Sequence, residues 1–377
     1  MNSKTKLKIG LMLLVSMSSF GDSWKTAHQL HNRITGVPPS KDVLQRMSIL
    51  VASNQVEQAA KEAMNNKNFY NVVLKNWAKP WTNEDETNRI PFNDYVATII
   101  GVIRDDRPFS SVLHDDILYT VDSGDIAPYS SDSNDHYKEA EEKNIDLKEA
   151  LSLATQSQMN GISDTAGIIT TRAAGEAFFS DGTNRAMTRY TFMNFLCKDF
   201  EDLHDVNLPD FRVRQDVDRK PGNDSRTFKN KCVGCHAGQD ALGGAFAYFD
   251  YVDGEVKHTP GTVVEKINRN NLFPAGYVTT NDSWLNLWAN GQNASLGWRG
   301  SQNGAGAKSL GRMLSSSKAF SRCMVQKSYK LICLNDAKET LGETQIDNYA
   351  TMFESTMGFR MKDLFSKMAS ICFKGGN

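Results

Sequence analysis

Cys232-Val233-Gly234-Cys235-His236 is the stretch from which the rest of the chain is read. Two cysteines three positions apart on a helical turn can present both thiols to one neighbour, and the adjoining histidine can turn its ring the same way. This is the C-x-x-C-H spacing of covalent c-type haem attachment, in which each thiol adds to a haem vinyl group and the histidine becomes an axial iron ligand. Competing readings lack their other halves. A structural zinc site needs two further ligands, yet there is no second C-x-x-C, and the one H-x-x-H, His28-Gln29-Leu30-His31, lies far upstream. A thioredoxin-like redox pair would leave the histidine unexplained and has no βαβ pattern around it. The residues therefore predict one covalent haem c, attached through Cys232 and Cys235, with His236 on the iron.

Outward from the motif, Asp199 to Lys231 is polar and turn-rich, with Pro209, Pro221 and Gly222, and reads as a long loop delivering the motif. Downstream, Gly238, Gly243 and Gly244 precede Phe246, Tyr248, Phe249 and Tyr251. Glycines permit close approach to a flat macrocycle and aromatics can wall it; the same residues also suit a turn and an ordinary core.

The N-terminus supplies the compartment. Lys4, Lys6 and Lys8 precede the apolar run Ile9 to Val15 and then Ser19-Phe20-Gly21, which is the pattern of a secretory signal peptide cut after Gly21. The apolar run is too short for a permanent span, so the expectation is a periplasmic or secreted chain with no transmembrane anchor. Net charge is -1, which argues against nucleic acid as a partner. Export also frames the other four cysteines, Cys197, Cys323, Cys333 and Cys372, as two disulfides. If Ala319 to Cys333 is one helix, Cys323 and Cys333 stand about 15 Å apart along it and cannot join each other. Cys197 and Cys372 must then each bridge to that helix, in an order the sequence leaves open.

The fold class expected is mainly α: a helical N-terminal domain over 22–160, then a haem-binding helical region over 161–377 with long loops. Val43, Leu44, Met47, Leu50 and Val51 recur at helical spacing behind Ser40 as N-cap, and Val56, Ala59, Ala60 and Ala63 continue after a break at Ser53-Asn54. Phe69 to Trp77 and Phe92 to Ile103 give two more helices, and Tyr137 to Gln158 reads as one long helix whose acidic cluster, Glu139, Glu141 and Glu142, forms a solvated face. Arg185 to Phe195, Ser309 to Cys333, Gln345 to Met357 and Lys362 to Cys372 complete the helical pattern.

Residues 166–250 resemble the haem-bearing conserved region of the large planctomycete-type cytochrome c families. The matching elements are Gly167-Ile168-Ile169-Thr170, a helix with Arg189 ending near Cys197, the C-x-x-C-H, Asp240 with Gly243, and the pair Phe249-Asp250. Asp106-Arg107-Pro108-Phe109 and the C-terminal helices, Leu310 to Cys333 and Phe359 to Phe373, extend the likeness. Those families often carry a histidine about six residues before the first haem cysteine, where this chain has Arg226. The resemblance implies an extracytoplasmic haem protein and supplies no settled reaction.

The sixth iron ligand separates the function classes, because two strong axial ligands suit electron transfer and an open iron binds small molecules. Met313 is the leading candidate, ahead of Met324, His258 and the pair His28 and His31. Three classes follow: a monohaem electron-transfer protein with a redox partner, a haem enzyme such as a peroxidase or cytochrome-linked oxidoreductase, and a secreted interaction protein with a structural haem.

Overall fold

Capping residues set where three of the longer helices begin. Ser40 accepts the Val43 N–H and starts one helix, Asn93 accepts the Val96 N–H and starts another, and Ser317 accepts the Phe320 N–H and starts a third. The computed structural model describes residues 22–373. Its longer helices are α1 (22–35), α2 (Lys41–Ala52), α3 (Val56–Ala63), α4 (Asp94–Arg104), α5 (Arg185–Leu196), α6 (Val233–Gly243), α7 (Ala307–Ser316), α8 (Lys318–Cys333), α9 (Gly342–Ser355) and α10 (Met361–Cys372). The architecture is mainly α, as the periodicity predicts. The expected signal peptide, residues 1–21, lies outside the described residues.

Among the described residues, strands enter as three two-stranded antiparallel ribbons: β1 (Leu118–Val121) with β2 (Leu151–Ala154), β3 (Phe249–Val252) with β4 (Glu255–His258), and β5 (Ser283–Leu285) with β6 (Asn303–Ala305). The first ribbon corrects the long helix expected over Tyr137 to Gln158. The chain is helical over Asp135–Glu142, turns left-handed at Asn144 (φ 49°), makes one turn capped by Asp146, and then extends into β2. Asn tolerates the left-handed region, and the open edge of β1 offers a pairing partner that a lone helix pattern does not reveal. Glu141 is a second correction. Rather than facing solvent, it bridges Lys75 and Lys79 at 2.8 and 2.7 Å and accepts the Phe92 N–H at 2.7 Å.

One buried apolar cluster draws on both sides of the expected boundary at 160/161, from Ala27, Met47 and Ile99 to Phe195, Phe320 and Phe365. At its centre α8 packs on α5, α9 and α10, and α10 packs on α3. Two disulfides reinforce this body, Cys197–Cys323 (Cα–Cα 5.2 Å) and Cys333–Cys372 (5.7 Å). Both bridge to α8, one from each outer cysteine, as the helix spacing requires. Among the described residues no helix is long and apolar enough to cross a membrane.

Candidate functional site

The approach to the motif is irregular until Asp224, whose carboxylate caps a turn over Ser225–Thr227. A wider turn, Phe228–Cys232, then feeds α6, which begins at Val233 inside the motif. At about 100° per residue, Cys232, Cys235 and His236 fall within one arc of about 100°. Gly234 and Gly238 lie on another side, and Val233 and Ala237 on a third. Each side has its own neighbours.

The glycine side is the packed one. A Cβ at Gly238 would meet the Trp288 ring at 2.2 Å, and one at Gly234 would meet His204 at 2.7 Å. Any larger residue at either position must push α6 off its support. Val233 and Ala237 bury themselves in a separate small cluster with Val213, Val217 and Phe228, bordered by Leu208, Cys232 and Leu287.

The third side carries the chemistry. Cys232 and Cys235 are half-buried and unbridged, while the other four cysteines are paired. The Cys235 thiol donates to the Phe200 carbonyl at 3.3 Å; burial pushes its pKa up, and Glu201 and Asp199 add to the effect. A thiol in that setting stays protonated and is a poor metal ligand until something replaces its proton. The His236 side chain is 29 % exposed, but its Nδ1 is buried and lacks a hydrogen-bond partner, 3.8 Å from Asp240 Oδ2.

Asp240 heads a buried ion network whose members are scattered along the chain. Arg185 grips it through Nε at 2.6 Å and Nη2 at 3.0 Å, and grips Asp216 at 2.5 and 2.8 Å. The Arg214 N–H donates to Asp240 at 3.0 Å. Burial would raise the Asp240 pKa, but Arg214 and Arg185 hold it well below the usual carboxylate range. Burial likewise opposes the charge on Arg185, and Asp240 and Asp216 overrule it. Nearby, the Arg219 guanidinium lies between the rings of Phe228 and Phe273, at 4.5 and 4.8 Å, and donates to the Val213 and Val217 carbonyls. Sequence reasoning missed this network. The one signal that could have found part of it is spacing: Asp240 follows His236 by four residues, which puts both on one helical face.

The candidate sixth ligands each have surroundings of their own. Met313 is buried in α7, and its sulfur accepts a hydrogen bond from Asn286 Nδ2 at 3.8 Å. Asn286 leads into Leu287 and Trp288, which cover the Ala237 and Gly238 sides of α6; Gly238 is about 160° around the helix from His236. Met324 is fully buried in α8. His258 stacks on Phe249 at 4.4 Å and its Nδ1 meets the Ser163 hydroxyl at 3.2 Å. His31 is committed to the Val37 carbonyl at 2.8 Å, and His28 to the Asn32 amide at 3.3 Å. Among the described residues no group of three or more His, Cys, Asp or Glu could hold a metal ion by itself. Comparison with protein-family models, with curated proteins and with solved structures returns no match for the chain.

Proposed function

We propose that this chain is an exported monohaem c-type cytochrome that passes electrons to or from a redox protein partner, and that it is related to the planctomycete-type cytochrome c families. One observation carries the reading: the only unbridged cysteines among the described residues share with His236 one side of a helical turn whose other sides are packed. Free thiols beside a histidine fit the donor set for a haem held by two thioethers and one imidazole. When bound, the haem supplies a one-electron couple.

The chain's own residues do the remaining work. Cys232 and Cys235 fix the position of the macrocycle by covalent bonds, and His236 turns the accessible part of its ring outward while Nδ1 stays inside. Trp288 and His204 keep α6 from moving back from the attached group. The two disulfides agree with an oxidising compartment, where haem attachment of this kind takes place.

Covalent attachment is tested by expressing the full chain with a c-type maturation system and staining for haem after denaturing electrophoresis. Haem that stays on the wild type and is lost from Cys232→Ala/Cys235→Ala supports the reading. A wild type without covalent haem overturns it.

A second reading, an open iron serving an enzyme, is favoured by the Met313 sulfur being turned to Asn286. Carbon monoxide separates the two. A reduced spectrum unchanged by the gas supports electron transfer through a six-coordinate iron, and a carbon monoxide adduct supports the open site. If Met313 swings in as sixth ligand, Met313→Ala converts the first behaviour into the second.

A further inference from the structure

A buried ring nitrogen without a hydrogen-bond partner destabilises the fold that holds it, so the unpartnered Nδ1 of His236 needs an account. An acceptor stands one helical turn later: Asp240, whose side chain is 0 % exposed. Its surroundings hold it in one orientation. Arg185 donates to both of its oxygens, and the Arg214 N–H donates again to Oδ2. By lone-pair count the free site of this carboxylate is on Oδ1; on Oδ2 the ring N–H joins Arg185 Nη2 and the Arg214 N–H as a third, charge-assisted donor to an anionic oxygen. Its Oδ2 stands 3.8 Å from His236 Nδ1. A ring movement of about 1 Å brings the pair to hydrogen-bond distance.

We infer that Asp240 is the positioning residue of the site: it accepts the Nδ1–H of His236, fixes that tautomer, and leaves the Nε2 lone pair turned outward for the iron. The iron half of this inference rests on the haem reading above; the tautomer half does not. Imidazole ligands commonly have their second nitrogen held by a carboxylate or carbonyl, which sets ring orientation and raises ligand basicity. Here the carboxylate is itself clamped by Arg185, which also pairs with Asp216, so its charge is shared among several donors and its direction is fixed from behind. The spacing of four residues along α6 places Asp240 beneath the Nδ1 side of the ring.

The test begins with the haem-free chain labelled with ¹⁵N, using His236→Gln to assign the ring signals. The expected wild-type state has a proton on Nδ1. An unprotonated Nδ1 overturns the pairing, and that result needs no variant to fold. Asp240→Ala is expected to shift the tautomer toward Nε2–H, and an unshifted tautomer in a folded variant overturns the inference. In the haem-loaded protein, Asp240→Asn is expected to raise the midpoint potential because the anionic acceptor is gone, and an unchanged potential overturns the iron half. The two readings fail separately. A wild type that shows Nδ1–H but takes up no haem sinks the haem reading alone. One that takes up haem, yet has Nδ1 unprotonated beforehand, sinks the pairing alone.

Discussion

Helices α5, α8 and α10 are joined by apolar burial and two covalent bridges, whereas the segment from 205 to 232 that leads into α6 is held by buried charge. In the first region Phe195, Phe320, Leu364 and Met368 are fully enclosed, and Cys197–Cys323 and Cys333–Cys372 tie α8 onto its neighbours. In the second, Val213, Val217 and Phe228 form a small separate cluster with Val233 and Ala237 of α6, and Arg185, Arg214 and Arg219 with Asp216 and Asp240 tie the segment alongside backbone bonds to Tyr277. Apolar burial is indifferent to direction, while ion pairs and carbonyl contacts fix angles. A body that need only be stable uses the first; a segment that, on the proposed haem reading, must hold two thiols and one imidazole toward a common point uses the second.

The largest expected effect falls on the body. In the chain-entropy account a bridge stabilises more as its loop lengthens, and the two loops span 126 and 39 residues. Cys197→Ser/Cys323→Ser should cost about 4.9 kcal/mol and Cys333→Ser/Cys372→Ser about 3.9 kcal/mol. Guanidinium unfolding of both double variants checks the order. Equal losses would mean that loop length is not what separates the bridges.

The motif segment should break nearly as hard at one buried carboxylate. Asp240→Ala leaves Arg185 with Asp216 alone and takes away the buried carboxylate beside Arg214, and breaking a buried pair costs about 3–5 kcal/mol. The expected outcome is a drop in denaturation midpoint comparable to losing a disulfide. A loss under about 1 kcal/mol, the scale of an exposed pair, would place the stability of this segment in its small apolar cluster instead, and the contrast between the two regions would collapse.

These two regions are unequally legible in the sequence. The body shows itself through periodicity: Ser40 before Val43 and Leu44 marks α2, and the ten-residue spacing of Cys323 and Cys333 on one helix excludes their joining each other. The motif is legible too, because C-x-x-C-H is local. What stays hidden depends on contacts between remote positions. Asp240 meets Arg185 across 55 residues and Arg214 across 26, and Arg185 meets Asp216 across 31. Charged residues in a turn-rich stretch look the same whether solvated or buried. Glu141 is misread for the same reason, since Lys75, Lys79 and the Phe92 N–H reach it from another part of the chain. β2 is misread for a different one: Leu147 to Leu153 suits a helix until β1 provides a partner.

A smaller effect is expected where the two regions meet. At Gly238 a methyl group would stand 2.2 Å from the Trp288 ring, so α6 or the indole must shift. Gly238→Ala should cost about 1–3 kcal/mol as overpacking and should reduce haem loading, because the displaced turn carries Cys235 and His236. Thermal unfolding and haem staining of the same preparation check both. Full loading at reduced stability would show that attachment tolerates movement of α6.

The smallest effect serves as the control for independence. Ser40 stands in extended geometry before α2 and its hydroxyl accepts the Val43 N–H at 3.3 Å on an exposed surface. Ser40→Ala leaves that N–H to water and should cost about 1 kcal/mol. α2 packs on α3, and α3 on α10, so the loss belongs to the body. If body and motif segment are stabilised separately, haem loading, the His236 tautomer and the potential should all match the wild type while the midpoint falls slightly. A change in any of the three would mean that tension in the helical body reaches His236, and the division between apolar support and charged positioning would have to be redrawn around the helices that link them.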